Sequence, residues 1–116
     1  MAEKVLTAGK TTIAPDVLLT IARLTALSTP GVSRLAVIPG DVNRLFRKTL
    51  QDGVKIVVEN NTVYADLYVI LDSNVNIREV SRSIQLQVAR AISEIVGMEV
   101  GRINVHVEDI DYSEPA

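Results

Sequence analysis

The side chain best suited to chemistry is the single histidine, His106, which alternates with Asn104 and Glu108 along a predicted strand. Alternate strand residues share one face of a sheet, where a general base, a metal ligand or ordinary surface residues could stand. No Ser, Asp or second His is placed by the sequence to complete a catalytic set. The chain has no cysteine, which excludes thiolate catalysis and cysteine-bound metal centres. We therefore expect a surface histidine in a protein that is not an enzyme, with no cofactor, metal or small-molecule substrate.

A second chemical candidate is Gly9–Thr11, which resembles the end of a phosphate-binding loop. That motif needs another glycine five residues before Gly9, where Lys4 stands, and a helix that begins at the lysine and threonine. Here Pro15 marks a later helix start. The sequence therefore does not predict a nucleotide site.

Two stretches are candidates for contact with a partner. The first is the loop that carries Arg44, Phe46, Arg47 and Lys48, in which the only phenylalanine of the chain stands among three cations. The alternative for this loop is that Phe46 fills the edge of the core while the charges are solvated.

The second candidate contact lies on the far side of the second predicted helix. At about 100° per residue, Leu86 points away from the core face and is flanked by Arg82 and Arg90. A single exposed leucine is normal on a protein surface, but a leucine ringed by arginines suits a partner contact.

The length and charge of the chain limit its class. It has 116 residues, with 12 basic and 14 acidic side chains and a formal net charge of −2. This length corresponds to one domain, and the charge gives no general attraction to nucleic acid, so we expect no nucleic-acid partner. We assign residues 1–110 to the domain and residues 111–116 to an acidic C-terminal tail.

The sequence also bears on location. No apolar signal-peptide core follows Met1. The most apolar helical segment, 17–27, contains Arg23 and falls short of the roughly 20 residues that span a bilayer. We expect a cytoplasmic protein without direct membrane insertion, which would reach a membrane only through a partner.

The first predicted helix begins at Pro15 and ends before Thr29. It is apolar on several sides, which is typical of a helix covered by more than one neighbour. Its main stripe comprises Val17, Leu18, Ile21, Leu24 and Thr25. Because Leu19 and Leu27 lie off that stripe, we expect self-association through this helix.

The second predicted helix begins after Asn76, whose spacing to Glu79 resembles a capping box, and it ends at Gly97. Its apolar residues keep one face over five turns. That face comprises Ile77, Val80, Ile84, Val88, Ala91, Ile92 and Ile95.

Strands are predicted by alternation of apolar and polar residues. The clearest is a hairpin over 54–71 that turns at Asn60-Asn61 and pairs Val58 with Val63. Further strands are expected over 32–38, over 102–110 and, at the N-terminus, over 5–13, with a short helix within 39–52. The order (β)αβββαβ predicts an α+β fold: a two-layer sandwich with a mainly antiparallel sheet and both helices on one face.

Several short stretches, taken in order along the chain, cover roughly residues 9–110. They are Gly9–Ala14, Ile21-Ala22, Pro30–Val32, Gly53–Ile56, Val63–Tyr68, Val75–Ile77 and Val105–Val107. In this order they resemble the bacterial alkaline shock protein family, a cell-envelope stress response domain. The loop at 41–46 departs from the glycine-rich segment usual in that family.

The resemblance implies a non-enzymatic protein of envelope homeostasis, a scaffold or adaptor that forms homo-oligomers. It also implies recruitment to the membrane by a membrane-anchored homologue, or a link to fatty-acid synthesis. The alternative is a small RNA-binding module that uses the Arg44–Lys48 loop, with Tyr64 or Tyr68 as stacking platforms. The net charge and the presence of Asp66 between those tyrosines count against RNA binding.

Overall fold

The computed structural model describes Gly9 and residues 11–37, 50–51 and 53–113. Helix α1 (Pro15–Ser28) and strand β1 (Val32–Leu35) come first, followed by β2 (Leu50–Gln51), β3 (Val54–Glu59) and β4 (Thr62–Asp72). Helix α2 (Ile77–Ala91) then continues as a π-helical turn (Ile92–Val96), and β5 (Glu99–Asp111) ends the fold. The predicted α+β class is confirmed.

Strand β4 is the centre of the sheet. It runs parallel to β5 on one side. On its other side it is antiparallel first to β3 and then, from Val69 onward, to β1. The sheet is therefore mainly antiparallel, with one parallel pair, because the crossover through α2 brings the chain back in the same direction.

The hairpin between β3 and β4 has the predicted register. Val58 pairs with Val63, and Lys55 pairs with Asp66. Asn60 and Asn61 adopt positive φ angles of 51° and 63°, as a two-residue hairpin turn requires. Turn chemistry and alternation agree here, so only one register satisfies both.

The core lies between one face of this sheet and the two helices. It is almost wholly aliphatic. The largest fully buried side chains are Leu18, Leu19, Val54, Val63, Leu67, Val69, Leu71, Ile84, Val88 and Ile92. The prediction that both helices cover the same sheet face is confirmed, since residues of α1 and α2 belong to this single cluster.

Helix α2 confirms most of its predicted apolar face. Val80, Ile84, Val88 and Ile92 are buried, and Asn76 accepts a hydrogen bond from the Glu79 backbone N–H at 3.0 Å. The ends of the face are wrong, because Ile77 and Ile95 are exposed. For Ile95 the reason is the π-helical turn, in which Gly97 N–H donates to the carbonyl five residues back, so the helical phase shifts.

The predicted phase of α1 is wrong. Leu19, placed off the main stripe, is fully buried, whereas Val17 and Leu24, placed on it, are exposed. The buried side of α1 comprises Leu18, Leu19, Ala22 and Ala26. A helix with apolar residues on every side carries no periodicity that identifies the core side.

Other predictions fall largely outside the described residues. The proposed helix within 39–52 lies there, except that Leu50–Gln51 form β2 and pair with β3. Of the proposed N-terminal strand at 5–13, Gly9 and residues 11–13 are described and belong to no strand. Among the described residues, no helix has both the length and the apolar character needed to cross a membrane.

Candidate functional site

The face of the sheet turned away from the helices is polar and partly exposed. Its side chains are those that alternate with the core residues, so the same pattern that buries Leu67 directs Asp66 and Tyr68 outward. Strand β5 adds Asn104 and His106 to this face, opposite Asp66 and Tyr68 respectively.

Four side chains of this open face form a connected group, called here the Asp66 cluster: Asp66, Tyr68, Asn104 and His106. The Asp66 Oδ1 atom lies 2.9 Å from His106 Nε2 and accepts a hydrogen bond from Asn104 Nδ2 at 3.1 Å. The Tyr68 ring stacks on the His106 ring, with centroids 4.4 Å apart and an interplanar angle of 14°. An ionised carboxylate can only accept, so Nε2 of His106 carries the proton in this arrangement.

The sequence missed this cluster. His106 was expected as a surface residue with no Asp placed beside it, and the structure corrects the second part, because Asp66 contacts it. Forty residues separate the two side chains, and only the parallel pairing of β4 with β5 brings them together. The available signal was the strand–helix–strand order, since such a crossover commonly joins neighbouring parallel strands.

The cluster changes the acid–base properties of two groups. Partial burial raises the pKa of Asp66, but the hydrogen bonds from His106 and Asn104 and the positive charges of His106 and Lys55 outweigh it and lower that pKa. Burial, with the negative charges of Asp66 and Glu108, raises the pKa of Tyr68. Asp66 is therefore held as the acceptor and Tyr68 as a neutral phenol.

An Asp–His pair can orient an imidazole as a general base. Such a base needs a nucleophile or substrate group to act on. Within the part of the chain that the structure describes, no hydroxyl hydrogen-bonds to the His106 ring, and no three His, Cys, Asp or Glu side chains could hold a metal ion. The geometry of the cluster is that of a polar link between β4 and β5.

We predict that Asp66→Asn makes the protein less stable at neutral pH and less sensitive to acid. Because the pKa of Asp66 is lowered from 3.8 in the folded state, its contribution is present above that ordinary value and is lost as pH falls through the folded pKa. We expect a loss of about 0.5–1.5 kcal/mol at pH 7. Urea unfolding from pH 7 to pH 2 should show the two proteins converging at low pH, whereas Glu59→Gln, on the exposed hairpin, serves as control. A constant gap at every pH would contradict this assignment.

The predicted partner face of α2 is exposed as expected. Leu86 is 58% exposed, and Arg82 and Arg90 lie one turn to either side of it. The Arg90 side chain reaches Glu94 at 3.8 Å, with both groups largely in solvent, so this ion pair contributes little. The structure thus brings the three residues together on one surface, and contact with a partner remains a prediction.

Other predicted residues are not brought into this arrangement. The loop with Arg44, Phe46, Arg47 and Lys48 lies outside the described residues. The two tyrosines proposed as stacking platforms do lie on the open sheet face, but Tyr68 already stacks on His106.

The end of β5 is tied to β1. The carboxylate of Asp111 accepts hydrogen bonds from Ser33 Oγ at 2.6 Å and from Arg34 Nη1 at 3.2 Å. Hydrogen bonds from Ser113 and Ser33, with the charge of Arg34, lower the pKa of Asp111 well below its usual range. Asp111, at which the acidic tail was predicted to begin, is therefore part of the sheet.

Helix α1 has an exposed apolar surface, of which Leu27 was predicted off the core side and Val17 and Leu24 were predicted on it. Val17 is 44% exposed, Leu24 51% and Leu27 38%, and all three lie on the side opposite the buried residues. An open cleft of about 400 Å³ adjoins the start of this helix, lined by Ile13, Val58 and Met98 among others. Among the described residues that line the cleft, none is charged.

Residues 3–112 match the model of the alkaline shock protein 23 family, which is described as having a cell envelope-related function. The chain belongs to this family. The resemblance inferred from the sequence is thereby confirmed over nearly the whole chain.

The chain is similar in sequence to the uncharacterised protein YqhY of Bacillus subtilis (strain 168). It is 26% identical over 110 residues, which cover 93% of this chain and 82% of that protein.

Solved structures of the MamM CTD share this fold. Its copper form superposes with a TM-score of 0.52 at 12% identity, covering 87% of this chain and 91% of that chain. The MamM CTD of residues 215–293 gives a TM-score of 0.52 at 12% identity, covering 83% and 99%. At such identity the likeness concerns the fold alone.

Proposed function

We propose that this protein is a non-enzymatic scaffold or adaptor in envelope homeostasis, and that it works by associating with copies of itself. Its family has a cell envelope-related function, which supports the setting. The observation that carries the proposal is the exposed apolar side of α1.

The exposed side of α1 has fewer charged side chains than the outer side of α2. Between Val17 and Ser28, α1 has one charged side chain, Arg23, and three large apolar side chains on the solvent side. On α2, Leu86 instead stands among arginines and glutamines. Burial of apolar surface gives about 25 cal/mol per Å², so contiguous apolar residues on a helix favour a partner over water.

The Asp66 cluster supports a non-enzymatic role in a different way. Its carboxylate already accepts hydrogen bonds from two side chains, and its histidine is covered on one ring face by Tyr68. Because these contacts join β4 to β5, the proposal assigns the cluster a structural role in the sheet.

The adaptor part of the proposal concerns α2. Arg82, Leu86 and Arg90 offer an apolar centre with a basic surround, which fits an acidic surface of a partner. We propose that the protein is cytoplasmic and that such a partner, either membrane-anchored or linked to fatty-acid synthesis, brings it to its site of action.

We expect the purified protein to be a dimer or a larger species at micromolar concentration. Light scattering coupled to size exclusion, with sedimentation velocity over a hundredfold dilution, would measure this. A strict monomer at every concentration would overturn the self-association proposal. Addition of single-stranded RNA at low salt should leave the sedimentation unchanged, because RNA binding requires the neutralisation of phosphates by a basic surface.

A further inference from the structure

The exposed side of α1 has a seven-residue repeat. Val17 and Leu24 are seven residues apart, and so are Thr20 and Leu27. Seven residues make nearly two helical turns at about 3.6 residues per turn, so these four side chains form one narrow seam. This is the a and d pattern by which two helices pack side by side.

Two side chains of opposite charge lie along one side of that seam. Asp16 and Arg23 are also seven residues apart, and each directly precedes a seam residue, Val17 or Leu24. Both charges therefore lie on the same side of the seam. The other side holds Ile21 and Ser28, which are neutral.

This charge arrangement distinguishes the two ways in which two copies of α1 could pack. In a parallel pair, the charged side of one helix meets the neutral side of the other, and no ion pair forms. In an antiparallel pair, a twofold axis perpendicular to both helices brings the charged sides together. Asp16 of each copy then lies beside Arg23 of the other.

We propose that α1 packs antiparallel against α1 of a second copy of this chain, with Val17, Thr20, Leu24 and Leu27 as the seam. Asp16 and Arg23 pair across it twice, as an isologous interface with twofold symmetry requires. This inference rests on the proposed self-association and specifies the surface and orientation that produce it.

The size of the seam sets the expected strength. A standard interface engages roughly 20–30 residues on each side, and one short helix supplies far fewer. The association is therefore expected to depend on concentration in the micromolar range, and the ion pairs fix orientation more than affinity.

Leu24→Asp tests the seam. Leu24 is 51% exposed, so its replacement leaves the core intact and the thermal midpoint nearly unchanged. It places two carboxylates in the seam of the dimer, and we expect the dissociation constant from sedimentation velocity to rise at least about a hundredfold. A wild-type dissociation constant would overturn the seam.

A charge exchange tests the orientation. Asp16→Arg and Arg23→Asp should each weaken association several-fold, since each variant places like charges together. The double variant should regain most of the wild-type affinity, because the pairs form again with the signs exchanged. Arg78→Asp, a reversal on the exposed start of α2, is the control and should change nothing.

The outcomes separate this inference from the proposed function. A wild-type monomer would overturn both. A wild-type oligomer that neither Leu24→Asp nor the charge reversals weaken would retain self-association and overturn the α1 seam. If the single reversals weaken association and the double variant does not restore it, the antiparallel orientation is wrong.

Discussion

Ile84→Asp should unfold this protein or bring it close to unfolding. Ile84 has no exposed surface and lies in the core between α2 and the sheet. A carboxylate at that site would be buried without a partner, which costs more than about 4 kcal/mol. Domains of this size are stable by only about 5–15 kcal/mol. Circular dichroism at 222 nm against temperature should show a greatly lowered or absent transition.

Leu86→Asp is the matched control for that experiment. It introduces the same carboxylate two residues further along α2, where the side chain is 58% exposed. Its effect on the free energy of unfolding should stay within about 0.5 kcal/mol. If Leu86→Asp melts as early as Ile84→Asp, the outer side of α2 takes part in the core.

The same variant tests the adaptor surface. A carboxylate between Arg82 and Arg90 removes the apolar centre of the proposed contact and offsets the positive charge of the two arginines. Capture of a membrane-anchored partner, measured by co-sedimentation with the membrane fraction, should fall while the melting temperature stays constant. Unchanged capture would show that the outer side of α2 is ordinary solvated surface.

The parts of the fold that could be predicted are those in which two local signals agree. In the β3–β4 hairpin, the Asn60-Asn61 turn and the alternation of residues specify the same register, and the structure has it. Helix α2 likewise combines a cap at Asn76 with one apolar face. Each of these features depends on residues close together in the chain.

Helix α1 shows where local patterns fail. Its burial depends on which side the sheet covers, and a helix that is apolar all round does not specify this. Leu19 therefore proved to be core and Leu24 surface. The error also concerns function, because Val17 and Leu24, which were assigned to the core side, are exposed and now form half of the proposed seam.

The Asp66 cluster shows a second limit. Asp66 and His106 belong to strands that the sequence predicts separately, and their contact depends on the parallel pairing of β4 and β5. Alternation with the buried residues places both side chains on the outer face. It contains no information on which strands become neighbours, since that choice is made by the crossover through α2.

Gly53 lies where the pairing partner of β4 changes from β3 to β1. Its carbonyl accepts a hydrogen bond from Tyr68 N–H at 2.8 Å, and the Tyr68 carbonyl accepts one from Ala36 N–H at 2.8 Å. The two strand ends thus meet at one residue of β4, on the same edge of that strand. Gly53 has a φ of +75°, and a Cβ atom there would lie 2.7 Å from Leu35 Cβ and 2.8 Å from the Ala36 carbonyl oxygen.

Gly53→Ala should therefore destabilise the protein by about 2–5 kcal/mol. The left-handed backbone conformation costs an alanine about 1–2 kcal/mol, and crowding in a packed site adds about 1–3 kcal/mol. The crowding is not easily relieved, because two of the three nearest atoms are backbone oxygens of Ala36 and Tyr68. Thermal unfolding should show a midpoint lowered by roughly 10 °C or more.

Gly97→Ala separates the two causes of that loss. Gly97 ends the π-helical turn with a φ of +80°, close to that of Gly53, and a Cβ atom there would meet nothing within 4 Å. Both variants reduce the entropy of the unfolded chain equally, so the difference between them measures the crowding alone. Gly97→Ala should lower stability by only about 1 kcal/mol. Equal losses in the two variants would mean that backbone strain alone explains Gly53, and that the junction of β1 and β3 has room for a side chain.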